Sequence, residues 1–531
     1  MSKNYLIGIG GTGAKVIEST LYMCAAGYGP DELAVFLIDP DKGNGNLNRT
    51  TELISKYLDC QKYFNRANTG TKLFKTKIKT PDEEKDRVWN IFKKTDATLK
   101  DWIGEEGMQG AEKDLANILF SKLELTTQLN EGFRGHPAIG SVVMSELPDN
   151  ELPFKMLWDE MPDSKAFDVR IFLVGSVFGG TGAAGFPTLG HKNVLKFNSK
   201  KNTIINEKEG LSRVLLGGAL VLPYFKVTKN DEVPGMYVTS NDFPIATKAA
   251  LEFYDTKDNL GFDQIYFLGD SIAHNVGEFS VGSTSQKNSP HYIEIVASLA
   301  AFDFFEQPSI EKKPEPMYFI AKRDTIILDW TNLPFTRNQD LLSEKREEFK
   351  ELMTTMTLFS YVFVTYVKSL RNAEDDAKNE PEFLLEWYKS NFKHKQTRFS
   401  KFKNSEEEIR LNIREASNTD KLDKFSTFSS YFLEWIIAFD EYSNVNLIDK
   451  SQIVQGENWK DPFNQPFVGY LLKESSKKEG WATFVKKGID DPEINKKIQN
   501  MTKNFSAADR LINLFYEGSR AFAKENYTIK K

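Results

Sequence analysis

Cysteine is nearly missing from this chain of 531 residues: only Cys24 and Cys60 occur. Two are too few for a disulfide framework and suit a reducing compartment. Histidine is scarce as well, at five residues, and no C-x-x-C or H-E-x-x-H spacing appears, so no zinc site is expected. No apolar run reaches the roughly 18–20 residues that a membrane span requires. The best candidate, LMTTMTLFSYVFVTYV at 352–367, is broken by threonines and reads as a buried core helix. The N terminus has no basic n-region or cleavage site and opens on a strand-like stretch, so no secretory signal is expected. Positive charge is not in excess: the formal net charge is −6, which gives nucleic acid no general footing. The complete P-loop pattern G-x-x-x-x-G-K-S/T is absent, although Gly10 to Lys15 comes near it. These absences leave a cytoplasmic protein without a membrane span as the expectation.

The chain is longer than a single core usually grows, so two or three domains are expected. Its first 300 residues alternate apolar strands with helical patterns. YLIGIG (5–10), AVFLI (34–38), VRIFLV (169–174), VLLGGALVL (214–222) and QIYFL (264–268) are continuous in apolar residues, as strands covered on both faces are. That alternation predicts an α/β fold with a doubly wound, mostly parallel sheet. Residues 42–131 are polar and read as a helical insertion with no clear strand. NSPHYIEIVASLAAFDFFEQ (288–307) reads as a long buried helix, with Ser289 as its cap and Pro290 in its first position. PEPMYFIAKRDTIILDW (314–330) reads as a strand pair. The remainder of 308–531 is rich in Lys, Glu and Phe and reads as a separate, mainly α-helical domain.

Two stretches repeat a pattern. GIGGTGAKV (8–16) and FGGTGAAGF (178–186) each place Gly-Gly-Thr-Gly between a strand and a helix. Such a turn presents backbone N–H groups and the positive helix end to an anion. Glycine is required there because a Cβ would obstruct the turn and the approach of phosphate oxygens. The first turn alone also fits the dinucleotide fingerprint through Gly8, Gly10 and Gly13, with Asp39 as a ribose partner. That leaves a Rossmann dinucleotide-dependent oxidoreductase open as one reading.

FLVGSVFGGTGAAGF resembles the tubulin/FtsZ signature, in which a strand runs into Gly-Gly-Gly-Thr-Gly-Ser/Thr-Gly. Gly179, Gly180, Thr181 and Gly182 match its centre, while Phe178 replaces the first glycine and Ala183 and Ala184 replace the Ser/Thr-Gly end. GIGGTGAKV is similar to the first phosphate loop of that family, through Gly10, Gly11, Thr12 and Gly13. VFLIDPD is similar to its acidic loop, FRGHPAIG (133–140, with Gly135) to the segment after its γ-phosphate-sensing loop, and LVLPYF, with Pro223, to the turn near the ribose. The resemblance covers roughly residues 1–307 and implies a tubulin/FtsZ-like nucleotide-binding domain whose central helix is 288–307.

It further implies GTP or GDP as ligand, with ATP as the alternative, and Mg²⁺ held through water by Asp39 and Asp41. Where the family has a guanine-reading Asn, this chain has Asp270; Asn288 and Tyr292 are further candidates for contact with the base. Hydrolysis in the family uses acids that reach the nucleotide of the next subunit, and here Asp303 with Glu306, or Asp340 with Glu344, are candidates. The implied activity is slow GTP hydrolysis coupled to head-to-tail self-association into filaments, with a protein partner on the helical C-terminal domain. A nucleotide-sensing scaffold in a bacterial multi-protein defence system is the alternative. KSNFKHKQTRFSKFK (389–403), basic and interleaved with Phe392, Phe399 and Phe402, reads as a solvated amphipathic helix whose field Glu406, Glu407 and Glu408 offset.

Overall fold

The computed structural model describes residues 2–41, 43–63, 71–90, 98–129, 132–133, 136–145, 151, 154–160, 168–191, 195, 197–198, 203–204, 214–228, 240–255, 260–270, 274–278, 288–307, 316–322, 332–334, 339–372, 416–443, 491–499 and 506–527. They fall into two compact units. The first comprises Met1–Leu21, Pro30–Ser55 and Thr76–Ile326; the second comprises Tyr22–Gly29, Lys56–Lys75 and Ile327–Lys531.

The first unit is built on β1 (Ser2–Ile9), the first part of α1 (Gly10–Ala26), β2 (Glu32–Ile38), the first part of α2 (Gly45–Tyr63), β3 (Lys77–Lys79) and β4 (Val88–Trp89). Five helices follow: α3 (Leu99–Ile103), α4 (Ala111–Leu119), α5 (Lys122–Leu125), α6 (Pro137–Met144) and α7 (Phe154–Glu160). Next come β5 (Asp168–Ser176), α8 (Gly180–Leu189), β6 (Phe197–Asn198), β7 (Thr203–Ile204), β8 (Val214–Val221) and β9 (Phe225–Thr228). The unit closes with α9 (Phe243–Asp255), β10 (Gln264–Gly269), β11 (His274–Glu278), α10 (Tyr292–Glu306) and β12 (Met317–Lys322).

The central sheet has the order β12-β10-β8-β5-β1-β2-β3, with β4 also on β2. Every pairing in it is parallel. Its apolar strands are buried throughout β5 and β8 because helices cover both faces. Neighbouring glycines of β8 show this directly. A Cβ on Gly217 would meet Phe304 of α10 at 2.7 Å, and one on Gly218 would meet Phe186 of α8 at 2.5 Å; successive strand residues point to opposite faces. The architecture is α/β and Rossmann-like. From β1 the strand order runs one way through β2 and the other way through β5, and ligands of such sheets bind at this point of reversal.

Several expectations are corrected in detail. The stretch 42–131 does hold strands, β3 and β4, which are too short to leave a periodic signal. Of the strand pair expected at 314–330, Met317–Lys322 is the edge strand of this same sheet, paired with β10, and 323–331 lie outside the described residues. The sheet therefore extends past residue 307. Neither Ser289 nor Pro290 starts α10: its cap is His291, whose Nδ1 accepts the Ile293 N–H at 3.2 Å.

Among its described residues the second unit is helical, with Gln339–Asn372, Ala416–Ser443, Pro492–Gln499 and Ala507–Tyr527 as its long pieces after residue 327. Aromatics form its core: Tyr22 lies 4.8 Å from Trp435, and Phe74 lies 4.9 Å from Phe428. The described side chains of 352–364 are buried in it, as expected of a core helix. No helix among the described residues is long and apolar enough to cross a membrane. The basic stretch 389–403 lies outside the described residues.

Arg170, at the start of β5 and 4% exposed, closes the far end of α10. Its guanidinium donates to the carbonyls of Phe304 at 3.0 Å, Phe305 at 2.6 Å and Gln307 at 2.5 Å. A cation at a helix C-terminus satisfies orphan carbonyls and opposes the dipole. Arg170→Met is therefore expected to lower the unfolding free energy by about 2–4 kcal/mol, measured by denaturant titration. A change below about 0.5 kcal/mol, the size of a neutral surface substitution, would show that these contacts contribute nothing.

Candidate functional site

The two Gly-Gly-Thr-Gly turns follow β1 and β5, and these strands are parallel neighbours, with Gly8 opposite Val174. Both turns therefore leave the sheet at its carboxyl edge, side by side. They touch: a Cβ on Gly10 would stand 3.3 Å from the Thr181 Cβ and 3.6 Å from the Gly182 nitrogen. Gly10 has φ +71°, a conformation that suits glycine. Gly13 and Gly182 are required by close packing. A Cβ on Gly13 would meet the Gly8 carbonyl carbon at 2.5 Å, and one on Gly182 would meet the Ser176 oxygen at 2.5 Å. Gly11 differs. The nearest atoms to its Cβ position are the amide nitrogens of Asn44 and Asn46, at 3.3 and 3.5 Å. A Cβ there would press on side-chain amides, not on backbone as at Gly13 and Gly182.

Three helices, α1, α8 and α2, begin at this edge, and none has an acidic residue in its first turn. The cap of α8 is Gly179, which offers no side chain to its leading N–H groups. Gly11, Thr12, Gly179 and Thr181 are half-exposed in otherwise buried turns. A positive helix end with unfilled donors favours an anion.

The acidic loop after β2 lies alongside. The Asp39 carboxylate accepts the Asp41 N–H at 3.0 Å, and Asp41 accepts the Gly43 N–H at 2.9 Å. Burial pushes the Asp39 carboxyl up to about 8, the Asp41 N–H opposes that rise, and the neighbouring Asp41 carboxylate adds to it. No group of three or more His, Cys, Asp or Glu able to hold a metal occurs among the described residues. The pair is thus no self-sufficient metal site. It does fit Mg²⁺ in the way that ion is commonly held, by one or two carboxylates with water and phosphate oxygens completing the shell.

Behind the first turn is a buried polar network that the sequence patterns did not disclose. Lys15 (2% exposed) forms an ion pair with Glu294 of α10 (0%). The Lys15 ammonium lies 5.7 Å from the Tyr224 ring centroid; burial raises the Tyr224 hydroxyl, and Lys15 and Thr12 oppose that rise. Burial alone would pull the Lys15 ammonium down, but Glu294 outweighs it and holds the ammonium above its ordinary value. The near-match of Gly10–Lys15 to a P-loop is thereby explained away: this lysine supports the turn from within and is not presented to a ligand. One charged residue in the otherwise apolar run YIEIVASL, Glu294, was the available signal.

The residues expected to read the base lie around the start of α10. The Asp270 side chain, 1% exposed, faces the His291 Nε2 at 3.4 Å. Tyr292 is 4% exposed and packs on His291 at 4.8 Å between ring centroids. Both belong to the interior. Asn288 is held by its backbone: its N–H donates to Asn46 Oδ1 at 2.9 Å and its carbonyl accepts from Arg49 at 3.1 Å. Pro223 is half-buried in the bend after β8. Gly135 lies outside the described residues. Asp303 and Glu306 stand at the end of α10 that Arg170 closes, on the opposite edge of the sheet from the turns. The Asp303 carboxylate accepts the Tyr266 hydroxyl at 2.6 Å. Asp340 and Glu344 belong to the second unit; Glu344 is exposed, and the Asp340 side chain lies outside the described ones.

Lys15→Met is expected to cost about 3–5 kcal/mol of stability by stranding the Glu294 carboxylate, and adding Glu294→Leu should restore most of it. Thermal unfolding of the two variants checks this; equal melting of single and double variants would show that the pair is not coupled. No protein-family model matches the chain, and no curated protein matches it either.

Proposed function

We propose that this chain is a tubulin/FtsZ-like nucleotide-binding protein. The ligand is GTP, with ATP as the alternative, and its phosphates lie between the Gly10–Gly13 and Gly179–Gly182 turns. One observation carries the reading: the two turns lie in direct contact at the carboxyl ends of adjacent parallel strands, where the strand order reverses. A dinucleotide fold uses one such turn and gives the second no task.

Mg²⁺, held by Asp39 and Asp41 through water, would neutralise charge building on the phosphates during cleavage. The protein contributes positioning: the backbone N–H groups of both turns orient the phosphates, and the Thr181 hydroxyl adds a donor. Asp303 and Glu306, on the far edge of the sheet, are out of reach of a ligand in the same copy. They suit a head-to-tail arrangement, in which the far edge of one copy meets the ligand of the next and a carboxylate there orients the attacking water. Such a contact repeats without closing and yields filaments.

The nucleotide released by heat-denaturing the purified protein tests the reading. GTP or GDP is expected, and Gly11→Val should release none while melting within a few degrees of wild type. Release of NAD, or a folded Gly11→Val that retains nucleotide, would sink it. Pelleting with GTP but not GDP separates a filament from a nucleotide-sensing scaffold, which would bind without sedimenting.

A further inference from the structure

Asn46 is the second residue of α2 and is 2% exposed, yet only half of its amide is engaged. Its Oδ1 accepts the Asn288 N–H at 2.9 Å. A backbone N–H can only donate, so the amide oxygen must face Asn288 and Nδ2 must face away from it. That direction leads to Gly11: Nδ2 lies 3.5 Å from the position of a Cβ on that glycine. Among the described residues this nitrogen donates to nothing.

Asn44 is fixed by the same logic. Its Oδ1 accepts the N–H groups of Asn46 at 2.9 Å and Leu47 at 3.4 Å, capping α2, which turns its own Nδ2 toward Gly11 at 3.3 Å. The Asn46 amide, at the positive end of a helix of 19 residues, thus borders the one glycine of the first turn whose Cβ position faces side-chain amides. An amide donor without a protein partner, on a residue 2% exposed, donates to water or to a ligand.

We propose that Asn46 is a direct ligand donor, its Nδ2 taking an oxygen of the phosphate that lies over Gly11. Gly10 faces Thr181 and the next residue, Gly11, faces Asn46, so consecutive residues of one turn serve consecutive phosphates. The site is built for a ligand with at least two phosphates in series. This rests on the nucleotide reading and adds to it a third wall, supplied by α2. It also ties the ligand, through one rigid amide, to the segment entering α10.

Asn46→Asp separates a ligand role from a structural one. The carboxylate still accepts from Asn288 but cannot donate, and it sets a negative charge against the phosphate. Asn46→Ser replaces the amide by a shorter hydroxyl that no longer reaches the Nδ2 position, without adding charge, and carries the test should the Asp variant not fold. Affinities for GTP, GDP and GMP would be measured by displacement of a fluorescent GTP analogue. Asn46→Asp is expected to lose about 100-fold for GTP and GDP and Asn46→Ser about tenfold, with a markedly smaller loss for GMP. Wild-type GTP affinity in a folded variant would overturn the assignment and leave the nucleotide reading intact, and an equal loss for all three nucleotides would overturn it too. A wild-type protein that binds no nucleotide would overturn both.

Discussion

The pairing of β1 with β5 is the constraint on which the site depends. Chain segments distant in sequence become neighbours there because Tyr5 to Gly8 pair with Ile171 to Val174 in parallel register. The chain leaves β1 toward β2 and leaves β5 toward β8, so a crevice opens between the two exits. Each exit must turn into a helix pressed against the strand it has just left, and this selects Gly13 in one case and Gly182 in the other. Much of the repeated Gly-Gly-Thr-Gly pattern is therefore an architectural requirement met twice. What packing does not explain is the remainder: Gly11, and the half-exposed threonines that follow the glycines.

Electrostatics give that remainder its meaning. A crevice edge where helices begin carries positive partial charge, and proteins without a ligand commonly offset it with acidic first-turn residues. Here α1, α2 and α8 carry none. The acid in the first turn of α10, Glu294, is matched by Lys15. The field thus persists toward the crevice, and a polyanion is the species that would relieve it.

The parallel sheet was legible in the sequence because its strands are buried on both faces and read as unbroken apolar runs. The turns were legible because glycine requirements are local. What stayed hidden depends on partners distant in sequence. Lys15 seemed one residue short of a phosphate lysine until α10 brought Glu294 to it. Ser289 and Pro290 had the composition of a helix start, yet His291 took the cap because its imidazole could serve Ile293 and face Asp270 at once. Asn46 carried no signal at all, since an Asn near a helix start normally reads as a cap. Only the Asn288 backbone, far along the chain, fixes which end of its amide faces the crevice.

The departures from the tubulin/FtsZ pattern point the same way. Phe178, standing where that signature has its first glycine, is 3% exposed and packs at 4.8 Å on Phe243 and 5.3 Å on Phe225. It anchors the start of the second turn from the core, a task that glycine cannot perform. Asp270, standing where a base-reading Asn is expected, is turned inward to His291. Both side chains are taken up by the fold beside the two turns.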